Sequence, residues 1–134
     1  MSRSKIIVAL LLFSGTFLWS QTTTTSDFST HTFEKYPMVN IQKLDIRSKH
    51  AQINLYNWDK DSISIETNIE ILSDNSNLSA EMLNEINIST VFYSNTLQVK
   101  TSLANEFNHT VPYKITYTIY YPKQLGLNIE NSHG

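Results

Sequence analysis

Four histidines, His31, His50, His109 and His133, are the first residues that could bind a metal or move a proton. Paired ligands usually sit at i, i+2 or i+4 on one element, and no two of these do. His50 and His133 become neighbours only if the turns that carry them stack, so all four read most simply as surface or turn histidines. Asn57, Asp59 and Asp61 crowd oxygen atoms together in "NWDKDS", as a calcium loop does. The run lacks the glycine and the distal glutamate of an EF-hand and reads as a turn before a strand. "SDNSN" (Ser73 to Asn77) is also oxygen-rich and reads as a loop leading a helix.

Covalent chemistry finds little support. Cysteine is absent, which excludes thiol catalysis, thiolate metal sites and a lipid anchor on cysteine. No serine stands in a G-x-S-x-G context. The three glycines, at positions 15, 126 and 134, are too dispersed for a phosphate loop. Nothing singles out a carboxylate pair for glycoside hydrolysis. No cofactor or metal site is expected, and a hydrolase is the weakest of the functional readings.

Aromatic residues make the best case for a ligand. Tyr113, Tyr117, Tyr120 and Tyr121 crowd one segment, and amphipathic rings on an exposed strand can stack on sugars. Tyr113, Tyr117 and Tyr121 share a phase with Ile115 and Ile119, which assigns them to the core with their phenol groups at its rim. Tyr120 falls in the opposite phase and is predicted to point outward. Trp58 either packs across a strand edge or stands as an exposed anchor, packing being preferred. Trp58 and Tyr120 are the candidate contact residues.

The elements that must position these residues are mainly strands. "ISIETNIEI" (Ile63 to Ile71) alternates strictly, with Ser64, Glu66, Asn68 and Glu70 on the other face. β-Branched residues at every second position suit a half-buried strand. "YKITYTIYY" does the same and is ended by Pro122. Shorter alternations occur at Val39 and Ile41, at Leu44 and Ile46 in the opposite phase, at Ile53 and Leu55, and at Ile86 and Ile88. A strand is also expected around Thr32–Tyr36. "YSNT" (Tyr93 to Thr96) predicts a hairpin turn into Leu97 and Val99. Leu78, Met82, Leu83 and Ile86 fall at helical spacing behind capping residues and predict one short helix over 78–85. The fold class is therefore mainly β, an antiparallel or meander sheet with one short helix.

The N-terminus reads differently. "MSRSK" carries Arg3 and Lys5, and Ile6 to Trp19 is apolar apart from Ser14 and Thr16. This is the pattern of a secretory signal peptide, 1–20, with cleavage after Ser20 or Gln21. Its apolar run is short for a bilayer span, although an uncleaved anchor is the alternative. Residues 21–31 form a flexible polar lead, and 32–134 form the domain. Loss of Arg3 and Lys5 lowers the Lys and Arg count from 10 to 8 against 12 Asp and Glu, a net charge of −4. That balance offers no electrostatic reason to bind nucleic acid or an anionic membrane. An exported domain without disulfides is held by burial alone and is more bacterial than eukaryotic in style. The sequons at Asn77, Asn87 and Asn108 are discounted on that ground.

"LDIRSKHAQI" (Leu44 to Ile53) aligns with "LNIENSHG" (Leu127 to Gly134), pairing Leu44 with Leu127, Ile46 with Ile129, Ser48 with Asn131 and His50 with His133. Both copies run from strand to polar bend, as successive turns of a stacked β-coil do.

These segments resemble the adhesin domain family of bacterial envelope proteins. Leu44, Ile46, Ser48, Ala51, Ile53, Leu55, Trp58, Asp61, Ile63 and Ile65 fall on that family's opening pattern, l-x-I-x-N-x-x-G-x-I-x-I-x-x-W-x-x-d-x-I-x-I. Tyr113, Ile115, Tyr117, Ile119, Pro122, Leu127, Ile129, Asn131 and Gly134 fall on a later segment that closes on N-x-x-G. Ser48 and Ala51 depart from the pattern's Asn and Gly, which argues against a tight positive-φ bend at the first turn. The Ser-Gln end of the leader resembles those of exported Bacteroidota proteins. The resemblance implies a non-enzymatic structural or adhesin-like module of the periplasm, outer membrane or cell surface of a Gram-negative bacterium. It also implies a β-solenoid that begins here and is cut at Gly134. Partners would be envelope or surface glycans or proteins, and an open strand edge would favour self-association. A carbohydrate- or lipid-binding β-domain is the alternative function.

Overall fold

A computed structural model of the chain describes residues 5–13, 17–26, 28–104, 107 and 110–132. The backbone forms β1 (Lys5–Phe13), β2 (Phe17–Thr25), β3 (Ser29–Pro37), β4 (Lys43–Lys49), β5 (Ala51–Trp58), β6 (Ser62–Ile71), α1 (Ser76–Glu85), β7 (Ile86–Tyr93), β8 (Thr96–Leu103), β9 (Tyr113–Pro122) and β10 (Gly126–Ser132). One six-stranded sheet, called A, has the order β1-β2-β3-β6-β9-β5, and a four-stranded sheet, called B, has the order β10-β4-β8-β7.

The two strictly alternating segments, β6 and β9, are antiparallel neighbours in sheet A, with Ile65 opposite Ile119 and Ile69 opposite Ile115. Period two places their isoleucines on one face, and burial of that face orders both strands. Leu44, Ile46, Leu97 and Val99 of sheet B are equally buried and belong to the same core. Side-chain contacts join the sheets directly: Thr90 of β7 donates to Glu34 of β3 (3.4 Å), and Thr101 of β8 meets Tyr117 of β9. The core is thus a layer between two sheets. Met82 and Leu83 of α1 are buried in the same cluster as Phe107 and Leu125.

Local signals explain the element ends. α1 begins two residues before the predicted Leu78, because Asn75 is its N-cap and its side-chain oxygen accepts from the Leu78 N–H at 3.1 Å. The hairpin at Ser94 and Asn95 has φ of 46° and 62°, the left-handed pair that a two-residue hairpin loop requires. Val39 and Ile41 do not continue β4: Asn40 has φ 61° and breaks the alternation, leaving Val39 exposed and Ile41 in the core. The stretch 21–31, expected as a polar lead, lies in the end of β2, a turn around Ser26 and the start of β3.

The meander expectation is corrected in its pairing. β5 runs parallel to β9, and β4 lies between β8 and β10, parallel to both, so both sheets are mixed. No solenoid is formed among the described residues; the sheets are open, with β1 and β5 as the edges of one and β10 and β7 as the edges of the other. The repeat is nevertheless a physical register. Leu127 lies beside Leu44, Ile129 beside Ile46 and Asn131 beside Ser48. At the bend after β4, the positive φ that the missing glycine argued against is present, carried by His50 at 50°. Asn131 braces that bend. Its Nδ2 donates to the Ala51 carbonyl (2.6 Å) and its Oδ1 accepts from the Ala51 N–H (3.1 Å), as a neighbouring backbone would. Asp45, in the outward phase of β4, is buried because the strands on either side supply partners. Gln98 donates to it at 3.1 Å and Asn128 at 3.0 Å.

Candidate functional site

Alternation leaves the other face of sheet A polar, and on it the structure gathers the exposed rings. Tyr56 and Trp58 are two apart on β5, and Tyr120 lies opposite Tyr56 on β9. The Tyr56 and Tyr120 rings stack at 5.2 Å, and Trp58 tilts against Tyr120 at 5.3 Å. Trp58 donates its indole N–H to the Ser62 carbonyl (2.7 Å), which anchors it across the β5–β6 turn. Lys60 Nζ stands 5.0 Å from the Trp58 ring, a cation–π contact. Tyr56 and Tyr120 remain 49% and 38% exposed, an unusual state for adjacent large rings.

From this tier a polar groove runs along the same face. It holds about 530 Å³ and is lined by His31, Glu66, Asn68, Glu70, Lys114, Thr116 and Thr118. The lining follows from register: Glu66 lies opposite Thr118, Asn68 opposite Thr116 and Glu70 opposite Lys114. On the far side, His31 of β3 reaches Glu66 at 2.7 Å, with the imidazole N–H as donor. Thr118 and Tyr120 alternate on one strand, so groove and rings are continuous.

The candidate contact residues Trp58 and Tyr120 therefore meet, and Trp58 both packs and shows a face. Sequence reasoning misses Tyr56 and the groove residues. Tyr56 is legible as the outward residue before Trp58, whereas the groove depends on which strands are neighbours. His50 lies at the β4–β5 bend, remote in role from His31 in the groove, and His109 and His133 fall outside the described residues. Asn57, Asp59 and Asp61 are exposed around the turn, and among the described residues no group of three His, Asp or Glu is placed to hold a metal ion. Among them, too, no helix is long and apolar enough to cross a membrane, which says nothing of strands.

A second polar cluster lies inside the core. Glu34 accepts from the Tyr36 and Thr90 hydroxyls, and Ser48 donates to Thr101 (3.2 Å), which meets the Tyr117 hydroxyl. Tyr117 is thus wholly buried, and its phenol does not reach the rim. Burial raises the Glu34 carboxyl above its ordinary value of 4.5, partly offset by its two hydrogen bonds. Burial and the Glu34 carboxylate push the Tyr36 phenol up as well, and burial raises that of Tyr117. These groups are sealed between the sheets, where they join them; they do not face the groove.

The raised Glu34 value has a testable sign. The folded state holds the proton more tightly than the unfolded state, so stability falls as pH rises through 4.5 towards the folded value. Glu34→Gln removes that dependence. The variant should match the wild type below pH 4.5 and melt at a higher temperature at neutral pH, as thermal melts across pH 3–8 will show. Parallel curves for the two proteins would refute this.

The chain matches no family model, no curated protein and no solved structure.

Proposed function

We propose that this chain is a non-enzymatic, exported interaction module of a bacterial cell envelope or surface, and that the outer face of sheet A is its contact surface. The observation that carries the reading is the tier of Tyr56, Trp58 and Tyr120, stacked on one another yet open to solvent. Rings of this kind are enriched where proteins meet partners, because they offer large area with little side-chain entropy to lose. The N-terminal leader and the adhesin-type resemblance point to the compartment. Cleavage after Ser20 or Gln21 would remove β1 and the first part of β2, leaving the end of β2 (22–25) paired with β3 as the sheet edge and the groove lining retained.

Expression of the full chain with a C-terminal tag in a Gram-negative host tests the reading. The leader should be removed, the product should fractionate with periplasm or outer membrane, and it should co-sediment with isolated envelopes. Tyr56→Ala combined with Tyr120→Ala should abolish co-sedimentation. A cytosolic product, or a double variant that sediments as well as the wild type, would sink the proposal.

A further inference from the structure

The outer face of sheet A combines two features that one ligand class needs together. The ring tier offers exposed aromatic surface. Next to it, the groove offers hydroxyls (Thr116 and Thr118), an amide (Asn68) and a carboxylate (Glu66), and not an apolar floor. A hydrophobic helix or an acyl chain would leave those polar groups unpaired, at a desolvation cost. Two carboxylates beside one lysine give the groove no net positive charge with which to hold a polyanion or an anionic lipid surface. Sugars present both matching surfaces: an apolar C–H face for a ring, and hydroxyls that donate and accept.

Resting on the interaction-module reading above, we infer that this face is a binding site for a neutral oligosaccharide, seated on Tyr56, Tyr120 and Trp58 and hydrogen-bonded along the groove. Tyr120 is the central ring, since it touches both other rings and lies on the strand that forms the groove floor. From Tyr120 to Lys114 the strand runs about 20 Å, enough for several sugar units in a row. The groove volume, about 530 Å³, lies within the range of small-molecule sites. His31 orients Glu66 from the far side, so that the carboxylate is held in place to accept a hydroxyl.

Isothermal titration of the full chain with hexasaccharides of glucose, mannose and N-acetylglucosamine tests the inference. At least one should bind with Kd below about 1 mM. Tyr120→Ala should weaken it roughly tenfold, and Asn68→Ala, an exposed change that spares the core, severalfold. Circular dichroism should show both variants folded. Absence of binding to all three sugars would overturn the inference, as would affinities unchanged in both variants. Preference for a sulfated polysaccharide or for phosphatidylglycerol vesicles would do the same. If sugars fail while envelope co-sedimentation still depends on the rings, only the ligand class is wrong; if co-sedimentation fails too, the interaction reading falls with it.

Discussion

Tyr117→Ala is expected to lower the unfolding free energy by about 4 kcal/mol, enough to bring a domain of this size close to unfolding. Tyr117 is fully buried at the middle of β9, with Ile115 and Ile119 on either side in the same phase. Its ring fills the space between the sheets, and its hydroxyl closes a chain from Ser48 through Thr101. Truncation would open a cavity and also leave Thr101 with one fewer partner in a dry layer. Tyr117→Phe separates the two effects. It keeps the ring and should cost only about 1–2 kcal/mol, the range for removing one hydroxyl from a buried hydrogen bond. Urea denaturation of both variants measures the difference. An alanine variant that unfolds at the same urea concentration as the wild type would mean that Tyr117 does not hold the layer.

Thr118→Pro is expected to be nearly as damaging, with a loss of about 3 kcal/mol or more. Thr118 points away from the core, and alternation alone would class it as a tolerant surface position. In the fold it faces Glu66 of β6 on one side and Asn54 of β5 on the other. A proline there removes a ladder donor inside the sheet, and proline is otherwise confined to edges, strand starts and bulges. Thr118→Val, which keeps the donor and the branched side chain, should leave the melting temperature nearly unchanged. A proline variant with a normal cooperative melt would show that β9 lacks a partner on one side.

How much of the candidate site is legible in the sequence follows from the same distinction. The phase of Tyr120 against Ile115, Tyr117 and Ile119 places it outward, and it is outward. Its partnership with Tyr56 is invisible there, because a strand, a helix and a hairpin intervene along the chain. The groove is hidden for the same reason: Glu66, Asn68 and Lys114 are ordinary outward residues until β6 and β9 lie side by side. Glu34 and Asp45 are also out of reach. Each occupies a position where a lone carboxylate would be exposed or unstable, and each is buried with a partner from its own strand, Tyr36 or Arg47, and with a hydroxyl or amides that distant strands bring to it.

The sequence by itself determined the mainly β class, the inward face of β6 and β9, a short helix behind a run of capping residues, and the Ser94–Asn95 hairpin. Each of these is set by neighbours a few residues apart, through the period of side-chain direction or through the φ that a turn residue tolerates. It also contained the L-x-I repeat, whose alignment proved to be the pairing register of β4 and β10. Only the tertiary structure decided that this pairing is parallel, that β5 joins β9, and that the rings and polar side chains of separated strands share one open face. Alternation states which side chains lie together on a strand; it does not state which strands lie together, and that choice is made by burying both inner faces in one layer.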